Sequence, residues 1–194
     1  WVFLEKNTLT YLFMESKEMH HQHQEGNEKY IEKNGEKILN PNYRETGKTV
    51  KGHAYQMSWL QSNPLVKIIE KDKQPYFNNY FLGNDPSKWQ STVGLYRSVF
   101  YTDLYEQIDA KIYSEAQSMK TDYIIHKGGN PTQIRMEYIG ADDIKVDESG
   151  KLIIQTSVNT INELKPYAYQ NINGIRREVK CAYKLKGNIV TFHL

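Results

Sequence analysis

The sequence has little of what identifies several large classes of protein. Its single cysteine, Cys181, excludes an internal disulfide framework. No apolar run approaches the ~18 residues that a membrane-spanning helix requires, so no membrane span is predicted. Lysine plus arginine (25) and aspartate plus glutamate (23) nearly cancel, which leaves a formal charge of +2. This balance predicts neither nucleic-acid binding nor electrostatic attachment to a membrane.

Signature motifs of catalysis are also missing. There is no Gly-x-Ser-x-Gly elbow, no His-Glu-x-x-His helix and no glycine-rich phosphate loop. The segment Gly128-Gly129-Asn130-Pro131 is predicted to form a β-turn and not a phosphate loop, because no helical pattern follows it. Cys181 lies in an alternating run, without a neighbouring base to activate it, and is predicted to be a small core residue. These features favour a non-enzymatic domain that holds no cofactor.

Strand-forming residues and turn signals are abundant. The 15 tyrosines, with frequent isoleucine and valine, favour strands over helices. Turn signals recur at the roughly 8–12-residue spacing of all-β sandwiches and barrels. Tight hairpins are predicted at Asn173-Gly174 and Gly187-Asn188, and a smaller one around Asn34-Gly35. We therefore predict an all-β, antiparallel, β-sandwich-like fold with at most one or two short helical turns.

One helical turn is predicted at 84–89, where Asp85 is a natural N-cap and Pro86 suits the first helical position. A second short turn is predicted at 102–107. The length fits a single β-rich domain, 1–194, with candidate sub-layers 1–90 and 91–194. The polar segment 16–51 is predicted to be a loop or an insertion.

A histidine cluster is the one pattern that suggests a metal. His20, His21 and His23 could offer imidazole ligands to a divalent cation. The only obvious additional ligands are Glu18 and Glu25, and the segment is polar throughout. A solvated polar loop is therefore favoured over a metal site.

Three carboxylates recur at a spacing of three: Asp103, Glu106 and Asp109. On a helix they would share a face, and paired carboxylates can hydrolyse glycosides. The segment lies between two predicted strands, however. A solvated connection that carries acids is therefore favoured over a hydrolase site.

Aromatic residues cluster with amides in the segment 76–89, which contains Tyr76, Phe77, Tyr80, Phe81 and Trp89. Aromatic rings stack on sugar faces, and Asn or Asp side chains bind sugar hydroxyls. A carbohydrate site would be formed by Tyr80, Asn84, Asp85 and Trp89. Because large aromatic side chains are usually buried, we favour the alternative that Phe81 and Trp89 fill the core, with Asp85 as a cap.

A series of motifs in a fixed order resembles a known family. It runs from the segment 79–89 through Tyr105-x-x-Ile108-Asp109 and Gly129-Asn130-Pro131 to the segment 165–170. It resembles the conserved N-terminal domain, of unknown function, of large secreted Bacteroidetes-type proteins. The likeness covers 55–192 well and 1–14 more loosely. It implies export, no established catalytic residues, and a parent protein with SBBP or PKD repeats and a type IX secretion or gliding-motility sorting domain.

These observations lead to one expected function and two alternatives. We expect a non-catalytic, structural or adhesive module of an exported bacterial cell-surface or secreted protein. A carbohydrate-binding module is the first alternative, and a glycan-acting hydrolase is the second. The expected partners are other domains of the parent protein, together with glycans or surface proteins.

Overall fold

The computed structural model describes residues 1–15, 29–41, 50–116 and 118–194. Their regular structure consists of strands and two short 3-10 helices, Pro86–Lys88 and Pro131–Gln133. The strands are β1 (Val2–Leu4), β2 (Thr8–Met14), β3 (Tyr30–Lys33), β4 (Glu36–Leu39), β5 (Gly52–Trp59), β6 (Lys67–Tyr80), β7 (Gln90–Tyr105), β8 (Ile108–Glu115), β9 (Ser118–Ile125), β10 (Arg135–Ile139), β11 (Asp143–Val146), β12 (Leu152–Gln155), β13 (Thr160–Glu163), β14 (Ala168–Ile172), β15 (Ile175–Val179), β16 (Ala182–Lys186) and β17 (Ile189–His193).

The strands pair into antiparallel sheets. The largest has the order β1-β2-β5-β10-β17-β16, so it takes strands from both 1–90 and 91–194. A four-stranded sheet has the order β6-β7-β8-β9, a three-stranded sheet the order β11-β12-β13, and β3-β4 and β14-β15 are separate hairpins. This architecture confirms the all-β, sandwich-like prediction. The assignment of 1–194 to one domain stays a prediction.

The hydrophobic core lies where the six-stranded sheet meets the four-stranded and three-stranded sheets. Its buried side chains include Leu9, Tyr55, Trp59 and Val190 of the first sheet, Tyr101, Leu104 and Ile108 of the second, and Leu152 and Ile154 of the third. Trp59 joins two of these sheets directly. Its ring lies 5.0 Å from that of Tyr101, and its indole N–H donates to the Tyr123 hydroxyl at 2.7 Å.

The hairpin predictions are confirmed. Asn173 and Gly174 have φ values of 50° and 78°, and Asn34 and Gly35 have values of 55° and 81°. Two-residue hairpin turns of type I′ require positive φ at both central positions, which Asn and Gly adopt most easily. The hairpin β3–β4 lies inside the polar segment 16–51. Residues 16–28 and 42–49 of that segment lie outside the described residues.

One helical turn is confirmed and the other is wrong. The turn at Pro86–Lys88 is capped by the Asp85 carboxylate, which accepts a hydrogen bond from the Ser87 N–H at 3.1 Å. The segment 102–107 instead continues β7 as far as Tyr105. Pairing with β8 keeps this backbone extended, with a bulge at which Asp103 has a φ of 56°. The second 3-10 helix, Pro131–Gln133, begins where a β-turn was predicted.

Gly129 is a position where the fold allows no side chain. A Cβ there would lie 2.6 Å from the backbone oxygen of Gln107. We expect Gly129→Ala to lower the free energy of unfolding by at least about 1 kcal/mol, because the β7–β8 turn would have to move. Urea denaturation measures this change, with Gly94→Ala as the control, since a Cβ at Gly94 would meet only the end of the Tyr96 side chain, at 3.2 Å, which can move aside. A smaller loss for Gly129→Ala than for Gly94→Ala would contradict the tight packing.

Candidate functional site

The strands β6 and β7 extend beyond the rest of the four-stranded sheet. The register between β7 and β8 begins at Ser98, so residues 73–97 form a ribbon of two strands only. We call these residues the aromatic arm. All residues from 67 to 97 are described, and none of them is buried. A two-stranded ribbon is marginally stable in water, so the arm depends on its own cross-links or on a bound partner.

Large apolar side chains project from the arm into solvent. They are Tyr76, Phe77, Tyr80, Phe81, Leu82, Trp89 and Tyr96. Phe81 is 58% exposed and Trp89 is 39% exposed. The favoured prediction, that Phe81 and Trp89 fill the core, is therefore wrong. The arm reaches past the strands that cover the core, so these rings pack only on the arm itself.

The tip of the arm is held by local contacts. The Trp89 indole N–H donates to the Gly83 carbonyl at 3.2 Å, and the Phe81 ring lies 5.6 Å from the Trp89 ring at 75°. A bulge at Thr92 is closed by the Asn79 side chain, which accepts the Thr92 N–H at 2.8 Å. The rings are thus exposed and fixed in place. The Phe81–Trp89 pair forms a corner and not the coplanar platform expected of a carbohydrate-binding module.

The four residues of the predicted carbohydrate site come together at this tip. Tyr80 pairs with Gln90, the neighbour of Trp89, and Asn84 and Asp85 lie in the connecting turn. The Tyr80 hydroxyl is within 3.3 Å of the Asn78 amide nitrogen. Their role in binding stays a prediction.

Asp85 is engaged within the turn. Its Oδ1 accepts hydrogen bonds from the Ser87 hydroxyl at 2.7 Å and from the Ser87 N–H, and its Oδ2 lies 3.6 Å from the Lys88 ammonium. The bonds from Ser87 hold the pKa of Asp85 below its ordinary value. The expected role as a cap is confirmed, and Asp85 has less capacity left for a ligand than Asn84.

The carboxylates of the hydrolase alternative have different surroundings. Asp109 Oδ1 accepts the Asp103 N–H at 2.8 Å, which closes the bulge in β7, and Oδ2 lies 2.8 Å from Nε2 of His126. Asp109 therefore has a structural role. Asp103 and Glu106 instead border a cavity of about 300 Å³.

That cavity lies at the junction of the six-stranded and four-stranded sheets. Its lining residues are Gln61, Asn63, Asp103, Tyr105, Glu106 and Gln133. No sequence pattern identified Gln61, Asn63 or Gln133. Gln61 and Asn63 lie in the connection between β5 and β6, Gln133 lies in the second 3-10 helix, and an isolated amide in such a segment carries no local pattern.

The other candidates offer no site. His20, His21 and His23 lie outside the described residues, and the described part of the chain contains no group of three His, Cys, Asp or Glu side chains arranged to hold a metal. Cys181 is half-buried just before the edge strand β16, so its prediction as a core residue is wrong. Burial raises the pKa of its thiol, which disfavours the reactive thiolate.

Within the described ranges, no helix has the length and apolar character needed to cross a bilayer. No curated protein and no solved structure matches the chain. A family model described as a domain of unknown function (DUF7948) matches residues 1–194. The chain therefore belongs to the DUF7948 family, a family of domains of unknown function.

Proposed function

We propose that this domain is a non-catalytic, adhesive module of an exported bacterial cell-surface or secreted protein, and that its aromatic arm binds carbohydrate. The observation that carries the proposal is the arm itself, a ribbon with exposed aromatic rings and no buried residue. Exposed apolar groups concentrated on one projecting element are typical of interaction surfaces. A ribbon that served only as a spacer would gain nothing from them.

Carbohydrate is the ligand that best suits the tip. The C–H faces of a sugar ring pack against an aromatic ring, and its hydroxyls need polar partners at the edge of that contact. Trp89 supplies a ring held by its bond to Gly83, and Asn84 supplies an amide in the adjacent turn. The corner between Phe81 and Trp89 suits the edge of one sugar better than a flat polysaccharide surface.

The resemblance to the N-terminal domain of large secreted Bacteroidetes-type proteins supports the proposed location. It adds a parent protein with SBBP or PKD repeats and a type IX secretion or gliding-motility sorting domain. Other domains of that parent protein would then be neighbours of this module. Glycans or surface proteins outside the cell would be its targets.

We expect Trp89→Ala to reduce glycan binding at least about tenfold, as loss of a central aromatic anchor does at other interfaces. The 194-residue chain is applied to a glycan array, with and without added zinc or calcium, and positive glycans are titrated. Trp1→Ala is the matched control, because Trp1 is 66% exposed and lies outside the arm. Both variants should remain folded by circular dichroism.

Binding that survives Trp89→Ala would contradict the arm as the binding surface. A blank array from the folded wild-type chain would contradict carbohydrate as the ligand. The hydrolase alternative predicts shortened products from any glycan that binds. The engagement of Asp109 with the Asp103 N–H and His126 argues against a role in such hydrolysis.

A further inference from the structure

We propose that the cavity at the sheet junction is a second ligand site, which binds one neutral polyhydroxylated group such as a single sugar residue. The proposal does not depend on the aromatic arm, since the two sites share no residue. The ligand would be held by polar side chains of Gln61, Asp103, Glu106 and Gln133. The cavity volume of about 300 Å³ is at the lower end of small-molecule sites.

Three separate turns build the walls of the cavity. Gln61 follows β5, Asp103 and Glu106 belong to the bulge and turn that end β7, and Gln133 lies in the 3-10 helix before β10. Tyr105 contributes a wall that is only 4% exposed. The site therefore exists only because the two sheets pack together.

The walls are positioned without a ligand. The Asn63 amide donates to the Asp103 carbonyl at 3.0 Å, and its oxygen accepts the Leu65 N–H at 2.9 Å. The Gln61 side-chain oxygen accepts a hydrogen bond from Arg135 at 3.1 Å. A site that is ordered in advance loses less entropy on binding.

The polar groups that face the cavity retain bonding capacity. Among the described residues, neither the Asp103 nor the Glu106 carboxylate makes an ion pair or side-chain hydrogen bond, and the Gln133 amide makes none either. The amide nitrogen of Gln61 also has no acceptor there. The cavity thus presents both unused donors and unused acceptors.

Backbone strain at one lining position supports a role for its side chain. Gln61 has a φ of 58°, in the left-handed region that favours glycine, whereas the φ of 56° at Asp103 belongs to the bulge in β7. A glycine at Gln61 would relieve this strain. A side chain in so unfavourable a conformation, at the edge of a cavity, suggests a function for that side chain.

The chemistry of the lining selects the ligand. Asp103 and Glu106 would repel an anion, and an apolar group would leave the amides and carboxylates unpaired. A metal ion would find too few ligands, because no group of three His, Cys, Asp or Glu side chains occurs among the described residues. A hydroxyl both donates and accepts, so a group with several hydroxyls can satisfy amides and carboxylates together.

The test is an NMR titration of the isotopically labelled 194-residue chain with neutral mono- and disaccharides. The saccharide concentration is raised well above the millimolar range. We expect shifts in the side-chain amide signals of Gln61 and Gln133, and affinity weakened about tenfold in Gln61→Gly. The same variant should melt at an unchanged or higher temperature, because glycine adopts the positive φ at position 61 without backbone strain. Lost binding in a chain of equal stability cannot then be assigned to unfolding.

Trp89→Ala is the control, and it should leave the shifts at Gln61 and Gln133 unchanged. The proposal is overturned if no saccharide shifts these signals, if Gln61→Gly binds as tightly as the wild type, or if only amines bind. The signals of Gln61 and Gln133 report on the cavity alone, so this result is independent of whether the aromatic arm binds glycans. Failure at one site does not imply failure at the other.

Discussion

Replacing Trp59 with alanine is expected to lower the free energy of unfolding by about 3–5 kcal/mol. Trp59 is 1% exposed, and it connects the six-stranded sheet to the four-stranded sheet. The change removes the ring contact with Tyr101 and the hydrogen bond to Tyr123, and it leaves a cavity between the sheets.

Urea denaturation and thermal melting measure this loss, and Trp89→Ala is the matched control. The Trp89 ring packs only on the arm, so its removal should cost less than about 1 kcal/mol. For a chain of this size the melting temperature should fall by roughly 2–4 °C for each kcal/mol lost. Equal effects of the two substitutions would contradict the separation of the core from the arm.

Glu163→Gln is expected to stabilise the protein at neutral pH. Glu163 ends β13 and packs among tyrosines of the core, and burial raises its pKa from 4.5 to about 6. A hydrogen bond from the Tyr138 hydroxyl, at 3.2 Å, offsets part of this increase. Glutamine can still accept that bond, and it carries no charge that must be desolvated.

The sign of the pH dependence follows from the raised pKa. The folded protein holds the proton of Glu163 more tightly than the unfolded chain does. The corresponding stability is fully present below about pH 4.5 and is lost as the pH rises through about 6. This rise in the pKa of Glu163 corresponds to a loss of about 2 kcal/mol from the free energy of unfolding at neutral pH.

Denaturation curves across this pH range test the prediction. Glu163→Gln should match the wild type under acid conditions and exceed its stability by up to about 2 kcal/mol near pH 7.5. Glu178→Gln, at an exposed position of β15, is the control and should follow the wild-type profile. A Glu163→Gln profile parallel to that of the wild type would show that this carboxyl group is not desolvated.

Local signals in the sequence predicted much of the fold. Asn173-Gly174 and Asn34-Gly35 adopt positive φ at both residues, and Asp85 caps the turn at Pro86. Each of these depends on a few adjacent residues and on backbone preferences that hold in any context. In the structure, more and less buried side chains alternate along β8, β10 and β12, because each strand turns one face to the core.

The arm was not predicted, because its strands depend on each other. Only the start of β6 carries a strand pattern, and Asp72, Pro75 and the pair Asn78-Asn79 interrupt the alternation that follows. Pairing with β7 keeps the segment extended through two irregularities in register. Its rings are exposed because β8 pairs with β7 only from Ser98 onwards. No residue of 67–97 indicates where that pairing stops.

The cavity was not predicted for a related reason. Gln61, Glu106 and Gln133 are brought together by the packing of two sheets, and the chain separates them widely. The regular spacing of Asp103, Glu106 and Asp109 indicated a connection that carries acids, but not which of these carboxylates would be free. Asp109 bonds across the hairpin to the Asp103 N–H, and this leaves Asp103 and Glu106 on the cavity.

We propose that the aromatic arm recognises the ligand and contributes little to the stability of the core. The most direct test replaces residues 73–96 with Asn-Gly, so that a short turn joins Asp72 to Arg97. Thermal melting and glycan-array binding are then compared with those of the full chain. We predict a folded chain of similar stability that no longer binds. Retained binding would contradict the arm as the recognition surface, and failure to fold would contradict its independence from the core.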